Sequence, residues 1–487
     1  MRIYVGIDLA AKGKHEVFVL DQNGEVVLSR YRFATQADEI NRLREKVKAL
    51  RPGAEIWWIS EPTGTQWVTV GQYLLGVGDR YFLVSNQKAH DLRRFWARHV
   101  KNDAVDAEAL ARIGFMAPQA LQPVKLDARV HSLSRWVKRH YRMGRTVGEL
   151  KRSFWALVES LLPGVQRVLP DPLTAVGRAF FRRYANPFAA VRIGPKRFTQ
   201  ALERSAGRYA KTETIAALYA LCERAVELHR NAGMRLDFAD LQEEVEFSLE
   251  ELERAAERQE HIRSRLELLV GELDPNGLLQ SIPGIGMVTA AACLAALESH
   301  DFKSSRAFRA YTGLVPRVAE SGQSQSKGRS LTKAGPSWLR TALYMAAEVA
   351  RRWDPQLAAI YRQAMVEKGQ PHRKAICAVA THLADRVYAV HHGQRPYVVR
   401  DLQGNAVTSE QARALIDAFL SVPEEVRARL RKTRKEPRER KNGSMSAASK
   451  GRGSLEDSPS STMLPEFYDT RPKGRVQDLM RQSFRAI

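Results

Sequence analysis

Four acidic residues carry the chemistry that this sequence advertises: Asp8, Glu61, Asp103 and Asp106. Asp8 closes the apolar run Tyr4-Val5-Gly6-Ile7, and Glu61 closes Ile56-Trp57-Trp58-Ile59-Ser60. Both runs have the composition of strands. Asp103 and Asp106 lie in Lys101-Asn102-Asp103-Ala104-Val105-Asp106-Ala107-Glu108-Ala109, which reads as the first turn of a helix. A spacing of three puts both carboxylates on one helical face. Carboxylates at strand ends facing such a pair suit two magnesium ions, with manganese as a substitute. Two ions about 3.5–4 Å apart clamp the attacking and leaving oxygens of a phosphodiester. Glu108 is near enough to replace one member of the pair or to cap the helix. Taken singly, each acid also reads as a turn residue or a cap. The set of four, on a strand-strand-helix frame, points to phosphoryl transfer on nucleic acid.

The elements that must hold these acids are legible. Residues 2–9 read as a strand. Residues 15–33 read as a hairpin around Asn23-Gly24, a strong turn signal between β-prone runs. Residues 36–50 read as a helix with Thr35 as its cap. The strand ending at Glu61 follows, then a short helix, a strand at 80–85 and largely helical sequence over 87–115. Strand, hairpin, helix, strand, helix, strand, helix is the order of a ribonuclease-H-like α/β domain, a mixed sheet flanked by helices. The first domain is placed at 1–122.

The charge balance agrees with this chemistry. The chain has 487 residues, 77 Lys or Arg against 54 Asp or Glu, and a net charge of +23. Its length suggests two to four domains. Such a positive field favours polyanions, of which nucleic acid is the commonest. A ribosomal or merely soluble basic protein would share the charge. The cysteines Cys222, Cys293 and Cys377 form no close pair, which argues against a zinc ribbon or a disulfide framework and fits a reducing cytoplasm. The chain opens directly into a strand pattern, so no signal peptide is expected, and no apolar run is long enough to cross a bilayer.

Residues 123–237 read as helical and basic. Lys138, Arg139, Arg142, Arg145, Lys151 and Arg152 would line a nucleic-acid groove or a solvated helix face. Residues 238–272 carry a heptad pattern: Val245, Leu252, Gln259 and Leu266 fall seven apart, with Leu241, Ala255, Ile262 and Leu269 between them. This is a coiled-coil pattern, read as an oligomerisation arm or as a helix packed on its own domain. Residues 273–422 read as a helical domain. There Ile282-Pro283-Gly284-Ile285-Gly286 precedes a helix of small residues, and Gly284 and Gly286 offer backbone amides to a phosphate. Residues 423–487 read as a basic, mostly disordered tail. Its 427–441 stretch holds nine Lys or Arg against two Glu and would add salt-sensitive affinity for nucleic acid.

These features together resemble the DEDD-type insertion-sequence transposases of family one hundred and ten, whose relatives include bridge-RNA-guided recombinases. Gly6-Ile7-Asp8, Glu61-Pro62-Thr63-Gly64 and Lys101-Asn102-Asp103-Ala104-Val105-Asp106-Ala107 resemble that family's RuvC-like acidic motifs. Ile282-Pro283-Gly284-Ile285-Gly286, Phe308-Arg309-Ala310-Tyr311-Thr312-Gly313-Leu314-Val315-Pro316 and Thr332-Lys333-Ala334-Gly335-Pro336-Ser337-Trp338-Leu339-Arg340 resemble its second domain.

The resemblance implies a RuvC-like catalytic domain, a coiled coil, and a helical transposase domain that supplies a serine nucleophile. Ser321, followed by Gly322, matches that serine. Gln323 stands where the family has a second glycine, and Ser324 and Ser326 are close by. Lys327, Arg329 and Lys333 flank this segment and would offset phosphate charge. The resemblance further implies donor and target DNA, a structured noncoding guide RNA, a dimeric or tetrameric homo-oligomer, and a cytoplasmic, nucleoid-associated bacterial enzyme. Two rivals remain: a metal-dependent nuclease or junction resolvase that uses no serine, and a nonenzymatic nucleic-acid-binding scaffold.

Overall fold

The computed structural model describes residues 1–62, 64–96, 102–125, 127–232, 236–317, 320–321, 324–325 and 330–435. Two compact units emerge: residues 1–131 with the chain from 271 onward, and residues 132–270.

The first unit begins with a mixed six-stranded sheet. Its strands are β1 (Arg2–Asp8), β2 (His15–Leu20), β3 (Val26–Phe33), β4 (Glu55–Ser60), β5 (Arg80–Leu83) and β6 (Gln122–Pro123), in the order β3-β2-β1-β4-β5-β6. β1, β2 and β3 form an antiparallel meander, while β1, β4 and β5 run parallel. The short β6 was not visible in the sequence.

Helices cover both faces of the sheet. Ile3, Val5 and Ile7 of β1 and Trp58 of β4 join Ile40, Leu43 and Val47 of α1 (Ala37–Leu50) and Val70 and Leu74 of α2 (Gln66–Gly76). Tyr4, Trp57 and Ile59 join Ala89 of α3 (Asn86–Trp96) and Ala107, Leu110 and Ala111 of α4 (Asp103–Met116) on the other face. Burial on both faces explains why β1 and β4 read as continuous apolar runs rather than alternating ones. Thr35 does not cap α1: its hydroxyl bonds the His15 ring at 2.6 Å, and Gln36 takes the N-cap position without a side-chain bond.

Gly6 sets how closely α4 approaches the sheet. A Cβ built there would lie 2.1 Å from the Ala107 carbonyl oxygen and 2.5 Å from the Ala111 nitrogen. We therefore expect Gly6→Ala to push α4 off β1 and to cost about 1–3 kcal/mol in chemical denaturation. Activity should fall further than stability, because α4 carries two of the four acids.

The second unit is helical. It contains most of α5 (Ala128–Leu161), then α6 (Val165–Val168), α7 (Ala175–Tyr184), α8 (Pro187–Ala206), α9 (Thr212–Asn231) and most of α10 (Phe238–Leu273). Phe154, Phe180, Phe181, Phe198, Leu218 and Leu249 centre its core. The heptad residues Val245, Leu252, Ala255, Ile262, Leu266 and Leu269 lie in the single helix α10 and are already buried within this one chain. α5 lies alongside: Trp136 packs edge-on to His261, and a Cβ on Gly144 would meet the Gln259 amide at 3.5 Å. The heptad pattern therefore reports a seam covered within the chain.

The remainder of the first unit is α11 (Met287–Ser299), α12 (Ser305–Thr312), α13 (Ser337–Ala350), α14 (Pro355–Arg362), α15 (His372–Gly393), α16 (Ser409–Leu415) and α17 (Glu424–Lys435). The basic tail thus starts as a helix, and its continuation from 436 lies outside the described residues. Cys222, Cys293 and Cys377 are all free thiols. No described helix is long and apolar enough to cross a membrane.

Candidate active site

Strand parity brings the acids together. Successive side chains on a strand point to opposite faces. Tyr4 and Gly6 face α4, so Asp8 does too; Trp57 and Ile59 face the same side, so Glu61, one residue past β4, follows them. β1 and β4 pair in parallel with Ile7 opposite Ser60, which sets Asp8 beside Glu61 at adjacent strand ends. α4 crosses that face, and its first turn carries Asp103 and Asp106. Asn102 starts the helix by accepting a 2.8 Å bond from the Val105 amide. The positive end of the helix favours acids there.

The electrostatics register this convergence. The Asp8 carboxyl is pushed up from 3.8 to about 6, first by burial and then by the negative charges of Asp106, Asp103 and Glu61. Arg93 of α3 pulls the other way. Its Nη1 donates to both Asp106 oxygens, at 2.9 and 3.1 Å. Sequence reasoning missed Arg93, since nothing local links it to an acid thirteen positions on. It also missed Glu16, a buried acid opposite Asp8 in the β1–β2 ladder, held by Arg32 at 2.5 Å. Arg32 in turn feels the charge of Asp103. Glu108 is not part of the cluster: it bonds Arg112 one turn along α4.

Hard carboxylate oxygens are the donors that magnesium or manganese prefers. Four acids with one of them pushed up toward neutrality are a site short of positive charge, so the donor chemistry fits a divalent cation. Among the described residues no three such side chains stand close enough together to hold an ion, and Arg93 supplies the positive charge at Asp106.

A stability test follows from Asp8. The folded chain holds a proton there that the unfolded chain releases. This contribution is complete below pH 3.8 and is lost as pH rises through about 6. At full strength the gap corresponds to about 3 kcal/mol. Asp8 is half-buried, and solvent screening reduces it to about 1–2 kcal/mol. In chelator, the melting temperature should therefore fall between pH 4 and 6.5 more steeply for wild type than for Asp8→Asn. Added magnesium should restore the wild-type loss. Parallel profiles for the two proteins would show that Asp8 is not under this pressure.

In the C-terminal part, Ser321 lies at a hairpin tip. Strands β7 (Glu320–Ser321) and β8 (Ser324–Gln325) pair with Ser321 opposite Ser324. The stem below is held by Arg317 N to Ser330 O at 3.0 Å, Thr332 N to Val315 O at 2.9 Å and Lys333 N to Gly313 O at 3.1 Å. Gly313 ends α12 with φ 69°, and Gly335 has no room for a side chain, since its Cβ would lie 1.6 Å from the Tyr311 carbonyl oxygen. These contacts explain the glycines of both motifs. Lys333 is exposed at the foot of the stem. Ser326, Lys327 and Arg329 lie outside the described residues.

Gly284 has a packing role of its own. With φ 86° and a Cβ position 2.4 Å from the Ala346 carbonyl oxygen, it lets its turn sit on α13. Gly286 is open and caps α11, the better placed of the two glycines for a phosphate.

Comparison with known proteins decides the family. A transposase model of the DEDD type matches residues 5–163, and the transposase IS116/IS110/IS902 family model matches residues 276–362. The chain belongs to this transposase family. The two matches carry the acid cluster and the motifs that anchor the Ser321 hairpin. Among curated relatives, the pilin gene-inverting protein of Moraxella bovis is 33% identical over 25% of this chain and 38% of its own length. The transposase for insertion sequence element IS1111A of Coxiella burnetii is 31% identical over 24% of this chain and 33% of its own length. The chain thus spans little more than a third of the curated relatives it matches.

Proposed function

We propose that this transposase-family chain cuts and rejoins DNA to mobilise an insertion sequence. The names of its relatives, a gene inverter and an insertion-sequence transposase, are consistent with that reading. The observation that carries it is the shared electrostatics of Asp8, Glu61, Asp103 and Asp106 on one face of the sheet. The strand order, with an antiparallel meander leading into parallel strands, supports a ribonuclease-H-like, RuvC-like domain. Asp8, Glu61, Asp103 and Asp106 would hold magnesium, or manganese in its place. The cation would offset charge on the phosphodiester and on its attacking and leaving oxygens. Arg93 must then share or release Asp106.

The Ser321 hydroxyl is the nucleophile in this reading. Its Oγ forms a bond to phosphorus, the bond from phosphorus to one deoxyribose oxygen breaks, and the hydroxyl proton ends on that leaving oxygen. The DNA stays joined to the protein as a phosphoserine until the reverse step rejoins strands. Lys327, Arg329 and Lys333 would offset the phosphate charge, and Gly286 would add a backbone contact.

The partners are donor and target DNA, a structured noncoding bridge RNA, and further copies of the chain as a dimer or tetramer. In that assembly, acid cluster and serine would come from different protomers. The setting is the bacterial cytoplasm, on the nucleoid. RNA recovered with the chain from cells carrying the whole element should map to noncoding DNA beside the coding region, with loops complementary to donor and target. Recovery of cellular RNA alone would argue that no guide is used.

A further inference from the structure

Many of the chain's arginines have an acid at hand: Arg32 has Glu16, the buried Arg44 has Asp79, Arg112 has Glu108, and Arg254 has Glu250. One face of α5 departs from this. Arg135, Lys138, Arg139, Arg142 and Arg145 are all exposed. The ion pairs around them in the second unit, Lys151 with Asp171 and Arg178 and Arg182 with Glu253, leave them out among the described residues. Residues 128–148 contain no Asp or Glu, and the next acid along this face, Glu149, one turn beyond Arg145, makes no ion pair with it among the described residues. The unit does hold acids, but they are concentrated elsewhere: 237–260 has ten Asp or Glu against two Arg.

The stripe is not needed by the fold. Leu133 and Val137 supply the buried side of this part of α5. Like charges three and four apart repel along a helix and weaken it. A row of such pairs without acids therefore works against α5 until an anion lies along it. Its span of ten residues is about 15 Å, enough to follow several successive phosphates.

We propose that the exposed face of α5 carrying Arg135, Lys138, Arg142 and Arg145 docks the phosphate backbone of double-stranded DNA. Cations spaced along one helix face meet successive phosphates, contacts that position a duplex and carry no sequence information themselves. A single strand fits less well, because its bases stack on free aromatic rings. The rings on this part of α5 are engaged: Tyr141 packs edge-on to His140, and Trp136, partly buried, packs against His261 with Arg139 over it at 5.8 Å. The choice of DNA over RNA rests on the reading of the chain as a DNA recombinase; the surface itself does not.

The test is binding by the full chain in chelator, where no strand is cut. Arg135→Gln, Lys138→Gln, Arg142→Gln and Arg145→Gln are combined, since Gln keeps helix propensity. A control of equal charge combines Arg224→Gln, Arg258→Gln, Lys374→Gln and Arg395→Gln, four exposed cations scattered elsewhere. Affinity for a short mixed-sequence DNA duplex, and for the same sequence as duplex RNA, is measured against salt. Each phosphate that the protein no longer neutralises should flatten the logarithmic salt slope by about 0.9. The stripe variant should lose about 3–4 on DNA and the control no more than about 1. Circular dichroism confirms that both variants remain folded. Equal losses in both variants would reduce the stripe to bulk charge and overturn the proposal. A loss on RNA with none on DNA would overturn it as a DNA surface. A loss on DNA in a chain that never recombines DNA would sink the recombinase reading and leave this surface standing.

Discussion

Ser321→Ala is expected to lower strand exchange by about 10³-fold or more and to eliminate covalent protein–DNA product. Binding of DNA and RNA should survive, because the acids and the surface cations are untouched. The hairpin gives this expectation its physical basis. Gly313 and Gly335 clamp the stem against the end of α12, so the tip is presented by a fixed base. A nick-bearing suicide substrate would strand the intermediate on the protein for peptide mapping. Attachment at Ser324 or Ser326 would keep the mechanism and move the residue. Normal cutting with all three serines replaced by Ala, and no attachment, would leave a nuclease that activates water.

The second large effect belongs to the carboxylates. Glu61→Gln and Asp106→Asn should each slow cleavage by about 10³-fold, the scale of losing a charged group that organises a phosphoryl-transfer site. Glu108→Gln is the contrast. It lies five residues from Asp103 on the same helix, but it bonds Arg112 on the helix surface. A half-buried i,i+4 pair of that kind, still open to solvent, contributes about 0–1 kcal/mol to stability and nothing to the chemistry. If Glu108→Gln were as damaging as Asp106→Asn, the assignment of faces on α4 would be wrong.

The acids were legible because strand ends and a helix start leave local signatures. Parity along β1 and β4, once their parallel register is known, gives Asp8 and Glu61 a common face. Arg93 left no such trace, since an ion pair between two helices depends on how they cross. The heptads of α10 were visible, but a seven-residue period does not say whether the covering helix comes from the same chain. Here α5 covers it, and α5 looked merely basic because its exposed face dominates the composition. Gly284 reads the same in sequence whether it cradles a phosphate or admits α13; only the approach of Ala346 separates the two.

Whether the four acids form one metal-dependent centre for DNA recombination decides the rest. The direct measurement is sequencing of recombined junctions from purified chain, element-derived RNA, and donor and target duplexes. Junctions should form with the wild-type chain in magnesium and vanish both in excess chelator and with Asp8→Asn. Junctions at wild-type frequency from Asp8→Asn, or from wild type without divalent metal, would contradict it.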